Sequence, residues 1–585
     1  MKLGIDFGST YSTISRYDAH SNSVAAITLQ EGGAASIPSV VCINKNNKVT
    51  CGQGAKDQAS KKSVRLFEAF KMLLTERNQT LTRERGYDEI YTPRAVTAMY
   101  LESIIRGSLK RYGETEVEDA VICVPEIWGK NVNTLDGRMI LRDVLSREID
   151  VPVKHVRVVT EPEAASAYFA YNYEKETGKT FNGHLLLIDY GGGTLDITLT
   201  QVTSDGKGNM EIGYREGGGS GENHRDSSGA SDIGCAGIAY MQNVVLLAVR
   251  DQGLIAPDAA PDYTAPEFVH TVHDLESQLR APERIEEIED VFGEYGTFRK
   301  MRQIMDEAPM EFVSLEYDGE EVTVTFQHLF AAYLQIVEPV LKREITAINR
   351  RVETHIGSDP CKPEAGVRDD FKIALVGGFG SYFLVKSQIA EMYQLDPNPK
   401  IDLRTKSINA NQQELAISLG AALLAAGRVV LQKTARRSIG LATKNSRGEI
   451  NRIFYGIKYH QHLEPGKPYF LLSDDAKPDT PENRVTWAAL YGNIDSFMIE
   501  FSEHLDRGGV MKLKPTILDR LKKLPEDGFW YCGFSLDESD VFSFHVVPHP
   551  KYKAGFGKGI VIRLDSYNRM FDLTAVKEVT IKHGI

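Results

Sequence analysis

Apolar and polar positions give this chain two textures. Up to about residue 428, apolar runs of strand length alternate with stretches where apolar residues recur at helical spacing. Beyond Ser438, short alternating runs follow one another with turn residues between them. In the first region strands are expected at 37–41, 49–54, 120–124, 156–159 and 373–376, and helices at 56–74, 92–112, 164–171, 383–393 and 413–426. The glycine- and serine-rich segment 217–231 predicts a surface loop, and ERIEEIED at 283–290 a solvated helix face. In the second region strands are expected at 452–455, 485–491, 496–501, 541–547 and 559–564, with one short helix at 515–524.

Two stretches share a plan. Residues 185–199, LLLIDYGGGTLDITL, are an apolar strand ending at Asp189, then Gly191, Gly192 and Gly193, then Thr194 and Asp196 before a second alternating run. This pattern predicts a β-hairpin whose bare tip can take positive φ and turn successive N–H groups toward an anion. Residues 3–15, LGIDFGSTYSTIS, repeat it with Asp6, Gly8, Ser9 and Thr10. The copies lie too far apart for a solenoid unit, so they predict two related lobes that each offer a hairpin. One aspartate from each, Asp6 and Asp189, could clasp a polyphosphate and its metal, and Asp189 on the strand entering its turn is placed to hold that metal through water, as Mg²⁺ prefers.

Composition narrows the setting. At 585 residues, 42% hydrophobic and 25% charged, the chain has the makeup of a globular protein with several folding units. A net charge of −12 argues against a nucleic-acid or anionic-membrane partner. The six cysteines stand singly, which suggests neither a zinc knuckle nor a disulfide framework. The chain enters a strand at Leu3 without a hydrophobic leader, and its most apolar stretches fall short of the ~20 residues that span a bilayer. A reduced, cytoplasmic protein is expected. His460, His462 and Glu464 alternate and would share one face of a strand.

The ordered motifs IDFGST, VVTEPEAASAY, LIDYGGGTLD and IALVGGFG, with an Ala-rich helix near Gly420, resemble the actin, sugar-kinase and heat-shock-chaperone ATPase superfamily. Within it the likeness is to the DnaK-type heat-shock chaperones. IPSVVCINKNNKVTCGQGAKDQA looks like their first-lobe strands. SIGLATKNSRGEINRIF and VIRLDSYNRMFDLTA look like the first and last strands of their peptide-binding β-sandwich. The resemblance implies a two-lobed α/β, actin-like ATPase domain of duplicated ribonuclease H-like lobes over 1–428 and a linker over 429–437. A β-rich, β-sandwich-like domain over 438–585 would bind unfolded or extended protein segments, with co-chaperones as further partners.

The same resemblance implies ATP/ADP and Mg as cofactors, and roles for named residues. Ser9, Thr10 and Tyr11, with Gly191, Gly192, Gly193 and Thr194, would cradle the β- and γ-phosphates, with Gly8 and Asp196 in the same two turns. Lys71 would stabilise charge on the transferred phosphoryl group and Glu161 would help place the attacking water. Gly377 and Gly378 would let adenosine approach the backbone. On residue type alone, Lys71 reads as a surface lysine on a charged helix, and Glu161 as a helix-capping acid.

The chain also departs from the family. The stretch matching the family's adenine-gripping Lys-Arg pair has Pro309 and Met310, and Ser381 stands where an arginine stacks on the base. Looser base selectivity is therefore expected. Pro125 of the interdomain relay is present, but its arginine partner is replaced by Asn133, and the apolar linker shrinks to Val429, Val430 and Leu431, so weakened coupling is expected. No long amphipathic helix follows residue 581, so the β-domain is expected to lack the family's helical lid. Two other readings stand beside a chaperone-like ATPase: a small-molecule kinase of the same superfamily, and a nucleotide-binding scaffold without turnover.

Overall fold

A computed structural model of the chain describes residues 1–585 except 32, 60–63, 77–78, 130–135, 207–208, 222–233, 363–367, 395–413, 437, 445–446, 448–449, 474–476, 487–493, 501–506, 513–529, 549–559, 564–576 and 581–585. These residues form two compact units, Met1–Ile127 with Arg142–Leu431, and Trp128–Leu141 with Gln432–Ile585.

The first unit is built on two sheets of one plan. In the first, β1 (Lys2–Asp6) is flanked on one side by the antiparallel β2 (Tyr11–Asp18), which also carries β3 (Ser23–Ala26) and β4 (Ser36–Pro38). On its other side it runs parallel to β8 (Val117–Val124), and β8 to β9 (Val153–Thr160). In the second, β10 (Gly183–Tyr190) pairs antiparallel with β11 (Leu195–Ser204), and β11 with β12 (Met210–Ser220), while β15 (Phe371–Val376) runs parallel to β10 on the far side. Each glycine-tipped hairpin thus occupies the same place in its own sheet, as the internal repeat predicts.

Strand periodicity divides the cores. Leu185 and Leu187 point to one face of β10, Leu186 and Ile188 to the other. The first face shares a core with Val121, Cys123 and Val159 of the first sheet through two helices, Glu161–Thr177 and the wholly buried Ala416–Ala425. The second face packs on the helices Gly237–Asp251 and Glu338–Ile356, with Phe292, Phe330 and Tyr333. Strands covered on both faces read as continuous apolar runs, which is why these were legible.

A three-stranded arm of order β6-β5-β7 rises from the first lobe: β5 (Val40–Asn44), β6 (Val49–Cys51) and β7 (Val64–Glu68). It corrects the helix expected at 56–74. Val64 and Leu66 pack on Val40, Cys42 and Ala55 from one face, while Phe67 turns to Tyr87 and Tyr91 on the other. A strand with apolar contacts on both faces imitates helical spacing, and pairing with β5 decides for extension. Only Gln53–Lys56 and Phe70–Leu73 are helical there. A two-stranded sheet of β13 (Glu311–Tyr317) and β14 (Glu320–Thr325) belongs to the second lobe. The residues expected as a free linker begin inside this unit: Val429 is buried in its core, and β16 (Val430–Gln432) lies at the edge of the second sheet beside β12.

The second unit is antiparallel. One sheet has the order β18 (Ile450–Ile457), β17 (Ser438–Lys444), β20 (Ile494–Glu500), β21 (Arg507–Lys512), β25 (Lys577–Thr580). The other runs β19 (Tyr469–Phe470), β22 (Trp530–Leu536), β23 (Phe542–Pro548), β24 (Ile560–Arg563). Trp530–Leu536 is buried throughout. Asp540 accepts from Lys433 Nζ at 2.6 Å and Arg138 Nη1 at 2.5 Å, and although burial opposes its charge, these cations and Arg436 hold its carboxyl well below the ordinary range. Residues 458–464 form no strand: His460 sits in a turn at φ 61°, and among the described residues no group of three or more His, Cys, Asp or Glu side chains is placed to hold a metal directly. The helix expected at 515–524, most of the loop at 217–231, residues 487–491 and Asn133 lie outside the described residues. No described helix is long and apolar enough to cross a membrane.

Candidate active site

A cleft of about 650 Å³ opens in the first unit, between the tips of its two hairpins. Asp6 ends β1, and Gly8, Ser9, Thr10 and Tyr11 make its turn into β2; Asp189 nears the end of β10, and Gly191, Gly192, Gly193 and Thr194 make the opposing turn. The tips meet closely. A Cβ on Gly192 would overlap Thr10 Oγ1, and one on Gly193 would come within 2.7 Å of Ser9 Oγ. Positive φ is absent from this triplet, contrary to expectation; its glycines are needed for room. The Gly191 and Gly192 carbonyls accept from the N–H groups of Gly237 and Ile238 at 3.2 and 2.7 Å. The N–H groups of Gly192 and Gly193 donate to no backbone carbonyl among the described residues, which leaves them for an anion.

Lys71, expected on a surface by residue type alone, is 3% exposed and enters the cleft wall just after β7. Its ammonium donates to Glu161. Burial opposes its charge, but Glu161 and Asp6 outweigh this and hold its pKa above the ordinary lysine value. Glu161 is not the capping acid of its helix. Thr160 caps Glu161–Thr177 and Glu163 closes the capping box, which frees Glu161 for Lys71.

Two buried carboxylates, Glu161 and Asp189, and the half-buried Asp6 surround one ammonium here. Burial, then Glu161, push the Asp6 carboxyl up to about 7; burial, then Glu161, Asp196 and Asp6, push that of Asp189 well above its usual range. Asp189 is 4% exposed and its Oδ2 has no hydrogen-bond partner, nor has Thr10 Oγ1. An excess of confined negative charge with an orphaned carboxylate oxygen suits a divalent cation, so the residues present fit Mg²⁺ at Asp6 and Asp189. Asp196 differs from expectation. It lies behind the turn, off the cleft wall, and accepts from the Ile127 N–H at 3.1 Å, so it positions the hairpin.

Gly377 and Gly378 end β15 against the same cleft. Gly377 has φ 84°, and a Cβ there would fall 2.5 Å from Asp189 Oδ1. Beyond them the cleft is walled by residues that sequence reasoning missed. The helix Pro282–Gly293 contributes Ile285, Glu286 and Glu289, and the helix Phe383–Met392 contributes Lys386. Pro309 and Met310, expected at the base, do not line the cleft; Met310 packs beside the second-lobe core and its N–H donates to Gln327. Ser381 lines the cleft, but its hydroxyl donates to the Gly378 carbonyl at 2.8 Å.

The rim is latched by ion pairs. Lys56 donates to Glu276 at 2.5 Å and Tyr11 Oη at 2.9 Å, His273 Nε2 lies 2.6 Å from Glu68, and Arg280 donates to Glu414 at 2.9 Å while its guanidinium stacks 4.3 Å over the Tyr11 ring. Each pair joins residues far apart in sequence, so no local spacing announced them.

Sheets of one plan, with facing hairpins and buried carboxylates in the cleft, define a mixed α/β fold of the two-lobed Hsp70-like ATPase-domain type, followed by a β-rich region. The comparisons with known proteins agree. The family model described as Hsp70 protein matches residues 2–215. The chaperone protein DnaK of Thermosipho africanus is 26% identical over 434 residues, 72% of this chain and 58% of that protein. That of Thermotoga petrophila is 25% identical over 427 residues, 72% of this chain and 59% of its own. The chain is thus similar, at low identity, to Hsp70/DnaK-type proteins, and it spans under three fifths of the length of these curated relatives.

Proposed function

We propose that the first unit binds a Mg-nucleoside triphosphate between its hairpins and slowly hydrolyses it, with the β-rich unit holding an extended protein segment or a folded partner. The observation that carries the first half is the meeting of two glycine turns over one set of buried carboxylates and one lysine. The free N–H groups of Gly192 and Gly193 and the hydroxyls of Ser9, Thr10 and Thr194 would cradle the phosphates. Asp6 and Asp189 would hold Mg²⁺, which supplies charge neutralisation on the phosphate oxygens. Lys71, kept charged by Glu161, is poised to meet charge developing on the phosphoryl group, and Glu161 to orient an attacking water. The resemblance implies ATP, though nothing in the phosphate cradle touches a base.

Release of inorganic phosphate from Mg-nucleotide without an added acceptor tests this reading. Release that needs a hydroxyl acceptor would make the protein a kinase; tight binding without turnover would make it a scaffold. For the β-rich unit, two antiparallel sheets offer edge strands to an incoming segment. Anisotropy of labelled unfolded peptides should show binding with fast release and little nucleotide dependence. Slow release that changes tenfold or more between ATP and ADP would overturn that half.

A further inference from the structure

A smaller hollow of about 80 Å³ shares Ser9 and Thr10 with the cleft and is walled by the three-stranded arm of the first lobe and by the helices Gly237–Asp251 and Pro266–Arg280 of the second. Its apolar surface comes from Val40 of β5 and from Met241, Tyr263, Phe268, Val269 and Val272. Its charged groups are already engaged. Lys56 donates to Glu276 at 2.5 Å, His273 Nε2 lies 2.6 Å from Glu68, and Arg85 is a further positive neighbour of Glu68. Gln242, in the same wall, is different. It is 5% exposed, its Oε1 has no hydrogen-bond partner, and its Nε2 donates to none of the described residues. A buried amide left with both its donor and its acceptor unused costs stability unless something meets it.

We propose that this hollow is a second ligand site, for a small uncharged molecule that carries an amide on an apolar body. It stands independently of the nucleotide reading of the cleft. An amide presents one acceptor beside donors, so it can answer the Gln242 side chain with two parallel hydrogen bonds. A carboxylate only accepts, so it would face Gln242 Oε1 without a proton between them and would compete with Glu68 and Glu276 for their cations. An ammonium would leave Gln242 Nε2 unanswered and would crowd Lys56, Arg85 and His273. Size narrows the class further. An apolar cavity of about 150 Å³ holds benzene, so a hollow of roughly half that volume suits an aliphatic amide of about five non-hydrogen atoms.

Titrations of the full chain with propionamide, propionate and propylamine, followed by saturation-transfer NMR, test the assignment. The three molecules share one body and differ in the head. Propionamide should bind in the millimolar range that so few atoms allow, and roughly tenfold tighter than either charged relative. Hydrogen exchange over Val40–Asn44 and Gly237–Asp251 should slow together when it is bound, because each contributes a wall. Gln242→Met keeps the length of the side chain and removes the amide. It should erase the margin over the charged relatives and leave the melting temperature unchanged or higher, since an unpaired buried amide gives way to an apolar group. Equal binding of the three molecules, a margin unmoved in Gln242→Met, or protection confined to other segments would overturn the proposal. Undetectable propionamide binding would do so too, leaving a hollow that holds water alone. A lower melting temperature for Gln242→Met would mean that the amide is already satisfied, and would count against the site in the same way.

Discussion

The two ends of the cleft are made of different material. At the hairpin end, strand termini and backbone turns bring Asp6, Asp189, Thr10 and Gly192 together, with Asp189 buried and its Oδ2 and Thr10 Oγ1 left without a hydrogen bond. At the remote end, two helices present Glu286 and Glu289 at exposed positions and Lys386 at a half-buried one, where a side chain can change without disturbing a sheet. The contrast teaches how differently the two ends depend on the fold: the first is set by backbone turns and strand ends, the second by side chains on helix surfaces.

The comparison breaks if changes at the hairpin end alter base preference, or if changes at the remote end alter turnover of a saturating nucleotide. The largest expected effect is that of Lys71→Ala, which should slow hydrolysis by on the order of 10²–10³ with little change in nucleotide affinity, since the ammonium acts chiefly on transition-state charge. Single-turnover phosphate release at saturating nucleotide measures it, and wild-type turnover would refute the role. Asp189→Ala should weaken Mg-dependent binding by about 10–100-fold for every nucleotide alike, as loss of a carboxylate that holds a hydrated ion does. Calorimetry with and without Mg²⁺ gives that number. Gly192→Ala, whose new Cβ collides with Thr10, should cost about tenfold in affinity through a displaced hairpin tip, again without regard to the base.

The smallest effect should come from the rim. Burial lowers the pKa of His273, but Glu68 outweighs this, so it stands above the ordinary ~6.5 of histidine. A raised histidine contributes its stabilisation fully below ~6.5 and loses it as pH rises through the folded value. Glu68 is lowered despite burial, so its share is present above ~4.3 and lost only in more acid solution. Nucleotide release should therefore be a few-fold slower at pH 6 than at pH 8, and His273→Gln should remove the difference. Stopped-flow release at both pH values decides it, and an undiminished pH dependence in the variant would exclude this pair.

Much of the hairpin end was legible because it is local. Asp189 followed by three glycines within one hairpin needs only neighbouring residues to take shape, and the helix after Thr160 begins at a capping box readable from Thr160 and Glu163. Repetition of the hairpin at residues 3–15 then announced the second half. Remote-end residues were hidden for the opposite reason. ERIEEIED is indistinguishable by pattern from a solvated helix face, which most of it is.

What the sequence by itself determined, then, is the two glycine-turn hairpins and the apolar central strands beside them, since apolar periodicity and glycine turns act over a few residues. Tertiary structure alone decided that residues 64–68 extend to pair with β5 and deliver Lys71 to a buried site beside Glu161, 90 positions away. It also decided that Asp196 stays behind the turn while Asp189 faces the cleft, although the two pair directly across the hairpin. The same holds for the helix Pro282–Gly293, which walls the remote end in place of the segment near Met310. Each of these outcomes depends on which surfaces bury one another across long stretches of chain, and that competition leaves no periodic trace in the residues themselves.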